Sequence, residues 1–173
     1  MQFRGTLYRG YKPKRARQPL SGKGAALHGG RFNKLGVECL YTSTSYETAL
    51  LEVNQFGGFS PVTLVAFEAN IDNLFDATSD AALDAYNATR PDEVSVTLGM
   101  LGSPDWRSQQ KMDGISASQE FADELIQLGY HGIMVPSFER RATSKDINIA
   151  LWNWTSPPHA ILRVIDPEER LNF

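Results

Sequence analysis

Apolar positions along this chain fall in short stretches, some alternating as in a half-buried strand and others recurring at helical spacing. Thr6 to Arg9 reads as a first strand and Val37 to Ser43 as a second. Between them, Tyr11 to Lys23 is a basic loop that Pro13 and Pro19 keep out of regular structure. The second strand runs into a helix opened by Thr44 with Glu47 three residues on, the pattern of a capping box. Tyr46, Ala49, Leu50 and Val53 form its apolar face, and Gly57-Gly58 ends it. Pro61 to Ala69 is predicted as a strand, and Ser79 to Thr89 as a helix closed by Pro91. Ser118 to Leu128 places Phe121, Leu125, Ile126 and Leu128 at helical spacing before a stop at Gly129. Gly132 to Val135, Ile147 to Trp154 and Ala160 to Ile165 read as strands, the first of them broken by Pro136-Ser137. Short strands outnumber helices without strict alternation, which predicts an α+β domain with mixed sheets rather than a doubly wound parallel one.

With 173 residues and 42% hydrophobic content, the chain fits one domain spanning 1–173. The opening Met1 to Thr6 has no apolar signal region, and no apolar run approaches the roughly 20 residues of a membrane span. A cytoplasmic protein without membrane association is expected. Cys39, the single cysteine, cannot form an internal disulfide and reads as a buried thiol.

Charge changes the picture. The net charge of -3 hides nine Lys and Arg within residues 1 to 37, with no Asp or Glu among them. The other 136 residues carry eight basic and all twenty acidic groups. Such a cationic patch attracts nucleic acid, nucleotide phosphates or an acidic partner. Nucleic acid is the weakest of these, because the rest of the molecule repels a polyanion and the sequence has no helix-turn-helix, zinc or RRM signature.

The densest chemistry lies in Gly29-Gly30-Arg31-Phe32-Asn33, Leu40-Tyr41-Thr42-Ser43 and Ala49-Leu50-Leu51-Glu52. Arg31 behind two glycines can grip phosphate as a fork, or be a surface loop residue. Tyr41 can stack on a ring, or be a sheet aromatic. Glu52 falls on the shoulder of its helix's apolar face, where a carboxylate is either paired with an arginine or functional. These glycines make neither a GxGxxG nor a P-loop, and no helix signal follows them. His28, His131 and His159 are isolated and Cys39 lacks partners at ligand spacing, so no metal site is expected. Ser137 has no triad context and reads as a turn residue.

Taken in order, Leu7-Tyr8-Arg9, Ser21-Gly22-Lys23-Gly24-Ala25, Gly29-Gly30-Arg31-Phe32-Asn33, Leu40-Tyr41-Thr42-Ser43, Ala49-Leu50-Leu51-Glu52-Val53 and Val135-Pro136-Ser137 resemble the RES-domain toxins of bacterial Xre–RES toxin–antitoxin pairs. The resemblance implies an ADP-ribosyltransferase-like fold, with a mixed or split β-sheet core and flanking helices. It also implies NAD as substrate, with no prosthetic group. It puts Arg31, Tyr41 and Glu52 in the catalytic positions, and Arg9, Gly30, Asn33, Ser137 and Asn148 in substrate binding. The expected activity is release of nicotinamide, with water or phosphate as acceptor. Transfer of ADP-ribose to a protein, or a non-catalytic binding module whose basic loop docks an acidic partner, are the alternatives. The implied partner is an antitoxin with a helix-turn-helix DNA-binding domain that covers the active site; this chain itself is not expected to bind nucleic acid.

Overall fold

The computed structural model describes residues 1–54 and 61–169. Its strands are β1 (Phe3–Tyr11), β2 (Leu40–Ser43), β3 (Thr63–Ile71), β4 (Leu74–Asp76), β5 (Gly132–Pro136), β6 (Ile147–Leu151), β7 (Thr155–Ser156) and β8 (Ala160–Val164). The helices are α1 (Lys23–His28), α2 (Tyr46–Val53), α3 (Asp80–Ala88), α4 (Leu98–Gly102), α5 (Trp106–Asp113) and α6 (Ala117–Gln127). The strands form one continuous mixed sheet in the order β4-β5-β6-β2-β1-β3-β8-β7. Among the described residues, only β4 and β5 pair in parallel. This is the expected α+β class.

Two apolar clusters divide the faces of the sheet. One is built almost wholly of strand residues, among them Leu7, Leu40, Phe67, Ile71, Ile149 and Leu162. A cluster fed by strands with scarcely any helix requires the sheet to curl so that one face packs on itself. Helix residues Leu83, Leu101, Phe121, Ala122 and Leu125 cover the other face over Ile133, Val135 and Ala150. Cys39 is fully buried in this second cluster, and burial pushes its thiol up to about 12.

Several expected boundaries move, each for a local reason. Val37 is not in a strand: its N–H bonds to the Lys34 carbonyl at 3.2 Å and its carbonyl accepts from Asn33 Nδ2 at 2.9 Å, so β2 starts at Leu40. Thr44 does not cap α2, and there is no capping box with Glu47. The Thr44 N–H continues the ladder to the Ile147 carbonyl at 3.0 Å, and Ser45 is the cap, accepting from the Thr48 N–H. The capping box stands instead at α6, between Ser116 and Gln119. The basic loop contains a 3-10 turn, Pro13–Arg15, because a proline with fixed φ suits the first position of a helical turn. A short helix, α1, follows Gly22 where none is expected. β6 ends at Leu151 because the N–H groups of Trp152 and Asn153 both turn to the His131 carbonyl. Gly57-Gly58 lie outside the described residues. Among those described, no helix is long and apolar enough to cross a membrane.

Candidate active site

Four elements converge on Glu52. In the sheet, Tyr8 of β1 lies opposite Ser43 of β2, Ser43 opposite Asn148 of β6, and Asn148 opposite Val135 of β5. Side chains at paired positions stand side by side on one face. Helix α2 crosses above this row. It lies close to β1 because Gly10 has no Cβ, which would fall 2.4 Å from Val53 Cγ2. One turn before Glu52, the buried Thr48 hydroxyl donates to Asp146 Oδ1 at 2.7 Å, pinning α2 to the loop that carries the remaining partners. Hydrogen bonds from Thr48 and Thr143 hold the Asp146 carboxyl below its usual range.

Glu52 Oε1 accepts from Ser137 Oγ and from Asn148 Nδ2, each at 2.6 Å. Asn148 is in turn fixed by Ser43, whose hydroxyl donates to Asn148 Oδ1 at 2.7 Å. Ser137 is fixed by its own N–H, 2.6 Å from the Asp146 carbonyl. Three adjacent strands thus hold one carboxylate oxygen through two charge-assisted hydrogen bonds. Glu52 also lines a cavity of about 510 Å³, a volume proper to a small-molecule site. Glu52, Tyr8, Arg9, Arg31, Tyr41 and Asn148 line it.

Tyr41 presents its ring to this cavity while its hydroxyl is occupied. The oxygen accepts from the Phe32 N–H at 2.9 Å and donates to Asn33 Oδ1 at 2.7 Å. Burial, with Cys39 adding to it, pushes the phenol well above its ordinary value, so it stays a donor. Arg31 also lines the cavity, but Nη1 is already committed to the carbonyls of Leu101 at 3.0 Å and Ser103 at 2.5 Å. Its guanidinium carbon sits 5.1 Å from the centre of the Phe138 ring. An end-on fork through both terminal nitrogens is therefore not open to a ligand, whereas the side carrying Nε and Nη2 is the one a phosphate could meet. Burial lowers the Arg31 pKa and Arg107 lowers it further, against the opposing pull of Glu52.

Two of the expected substrate contacts are engaged with Tyr41. Asn33 does not line the cavity: it is buried behind Tyr41, with Nδ2 donating to the carbonyls of Ala25, Lys34 and Val37 and Oδ1 taken by Tyr41. Its part is to position Tyr41. Gly30 lines the cavity, but the group its bare Cα admits is the Tyr41 hydroxyl, since a Cβ there would stand 2.3 Å from that oxygen. Arg9 and Asn148 reach the cavity, and Ser137 reaches the carboxylate from behind it.

Sequence reasoning passed over Ser43, Arg107 and Arg140. Ser43 follows Tyr41 by two positions and so shares its face of the strand, a signal present in the Tyr41-Thr42-Ser43 run. Arg107 lines the cavity from α5, with its guanidinium 4.3 Å from the Trp106 ring. Arg140 lines it from the loop after β5. Neither carries a local sequence signal. Among the described residues, no group of three or more His, Cys, Asp or Glu side chains could hold a metal ion.

A comparison with curated proteins finds no match. The family model of the RES domain, in contrast, matches residues 6–173, every part of the site included. The chain belongs to the RES-domain family, whose theme is NAD-related function of the toxin–antitoxin type.

Proposed function

We propose that the protein cleaves the bond between nicotinamide and ribose in NAD and acts as the toxin of a toxin–antitoxin pair, arresting growth by depleting the dinucleotide. The observation that carries this reading is the single carboxylate of Glu52, held by Ser137 and Asn148 at 2.6 Å and set in a cavity with Arg31 and the Tyr41 ring. The leaving group is a cationic pyridinium, which takes the electron pair of the broken bond and departs neutral. It needs no general acid, so one carboxylate suffices where ordinary glycosidases use two. Glu52 favours the oxocarbenium-like transition state through the ribose hydroxyls and its own negative charge, and Tyr41 packs on the nicotinamide ring. Arg31 meets the diphosphate. Water completes the reaction as ADP-ribose and a proton, or phosphate takes its place. The mixed sheet and the one-carboxylate site together favour an ADP-ribosyltransferase-like fold.

The partner in this reading is an antitoxin that covers the cavity mouth while a helix-turn-helix portion binds DNA. Incubating the purified chain with NAD, with and without phosphate and cell extract, tests the reading when free nicotinamide and labelled protein are measured together. Nicotinamide release without protein labelling is the expected result. Labelled protein would replace the water or phosphate acceptor with a protein one, and NAD binding without turnover would overturn the enzyme reading.

A further inference from the structure

The cavity at Glu52 uses only part of the basic N-terminal quarter. Lys14, Arg15, Arg17 and Lys23 line a second groove, of about 1090 Å³, and Arg9 lines both this groove and the first cavity. The groove has no acidic lining residue, and among the described residues none of these four cations pairs with a carboxylate. The backbone that carries these exposed cations is anchored. Ala16 and Pro19 are buried between them, the Tyr11 hydroxyl donates to the Pro19 carbonyl, and Trp154 Nε1 donates to the Leu20 carbonyl at 3.1 Å. Arg15 Nη1 lies across Gly24, 3.3 Å from where a Cβ on that residue would stand.

A second observation points to an absent anion. Arg9 Nη1 is buried and has no hydrogen-bond partner among the described residues. The guanidinium carbon lies 4.8 Å from the centre of the Tyr11 ring. A buried guanidinium N–H without an acceptor is costly, and the charge of Arg9, which lines both cavities, attracts an anion to their junction.

Strand order says which part of the ligand reaches there. The donors to Glu52 come from β6 and from the end of β5, so the nicotinamide ribose belongs on that side. Arg9 is on β1, two strands beyond β6, which is about 10 Å at the usual strand spacing. The two cavities share Arg9 as lining, so a dinucleotide whose ribose is held at Glu52 can extend its adenosine half into the groove.

We propose that the groove is a phosphomonoester subsite for the adenosine half of the substrate, so that NADP, with a phosphate on its adenosine ribose, is preferred to NAD. This rests on the dinucleotide-cleaving reading above. A dianionic phosphate with three acceptor oxygens suits a guanidinium flanked by lysines better than a lone carboxylate does.

The test has a binding arm and a turnover arm, both on the full chain. Calorimetry compares adenosine 2′,5′-bisphosphate, 5′-AMP and inorganic phosphate, and nicotinamide release is measured from NADP and NAD. The bisphosphate should bind roughly tenfold or more tightly than 5′-AMP, and kcat/KM for NADP should exceed that for NAD by a similar factor. Combining Arg15→Gln with Lys23→Gln should abolish both preferences. Equal binding of bisphosphate and 5′-AMP overturns the proposal, as does a preference that survives the double substitution. Binding of inorganic phosphate with no bisphosphate preference also overturns it, since the site would then be one for a free anion. A bisphosphate preference lost in the double variant, with neither dinucleotide cleaved, upholds the subsite and refutes the cleavage reading instead.

Discussion

Asn148 is the joint of the site, and replacing it with alanine has a consequence that can be worked from two distances. The substitution removes the donor 2.6 Å from Glu52 Oε1 and the acceptor 2.7 Å from Ser43 Oγ. A hydrogen bond to a charged group contributes about 1.5–3 kcal/mol, and a neutral one about 1 kcal/mol. Ser137 still holds the carboxylate at 2.6 Å, so Glu52 loses one restraint rather than its place. If the lost restraint acts fully in the transition state, nicotinamide release falls roughly 10- to 150-fold. Ser43 donates to Asn148, which donates to the carboxylate, so the two positions should couple. Ser43→Ala should cost about 1 kcal/mol of transition-state stabilisation in the parent protein and nearly nothing beside Asn148→Ala. The assay is kcat/KM for nicotinamide release in the four proteins of the cycle, with melting temperatures alongside. Additive effects, or Asn148→Ala at the parent rate, would refute the idea that the strand row positions Glu52.

Three further outcomes follow from the same geometry. Gly30→Ala puts a Cβ 2.3 Å from the Tyr41 hydroxyl oxygen, so it should lower stability by about 1–3 kcal/mol through overpacking and raise KM for NAD, as thermal melts and kinetics would show. Arg31→Lys loses the paired contact with phosphate and the bonds to the Leu101 and Ser103 carbonyls. It should therefore raise KM and speed amide exchange across α4 and α5 together; a change in KM alone would mean those carbonyl bonds carry no weight. Thr48→Val removes one of the bonds that depress the Asp146 pKa. A depressed folded-state pKa gives stability that is present at neutral pH and lost as pH falls through the acid range below about 4, so the variant should melt lower at pH 7 and differ less from the parent at pH 3.

Glu52 was legible in the sequence because its position on the edge of an apolar helix face is a local property, and Tyr41 because it lies in a strand. Asn33 was misplaced because its surroundings are not local to it. What buries it is the turn that brings the carbonyls of Ala25 and Val37 onto one amide, and those residues lie eight and four positions away on either side. The helix cap was misjudged by a single residue because Thr44 and Ser45 are equally good caps by chemistry, and only the ladder bond to Ile147 decides between them. Arg107 was invisible for a different reason. α5 buries Trp106 and presents an otherwise polar sequence, while α4 contains Gly99 and Gly102, so neither shows an apolar period. α4 is placed by Leu98, Met100 and Leu101 in the second cluster and α5 by its contact with α6, which is a tertiary matter.

The central claim is that Glu52 is the carboxylate on which NAD cleavage depends. Nicotinamide release by Glu52→Gln, measured beside the parent protein at equal folded fraction, tests it most directly. Glutamine keeps the shape and an oxygen for Ser137 and Asn148 but removes the charge, so turnover should drop by about 10²-fold or more while the melting temperature stays near that of the parent. Turnover at the parent rate in a folded Glu52→Gln protein would contradict the account.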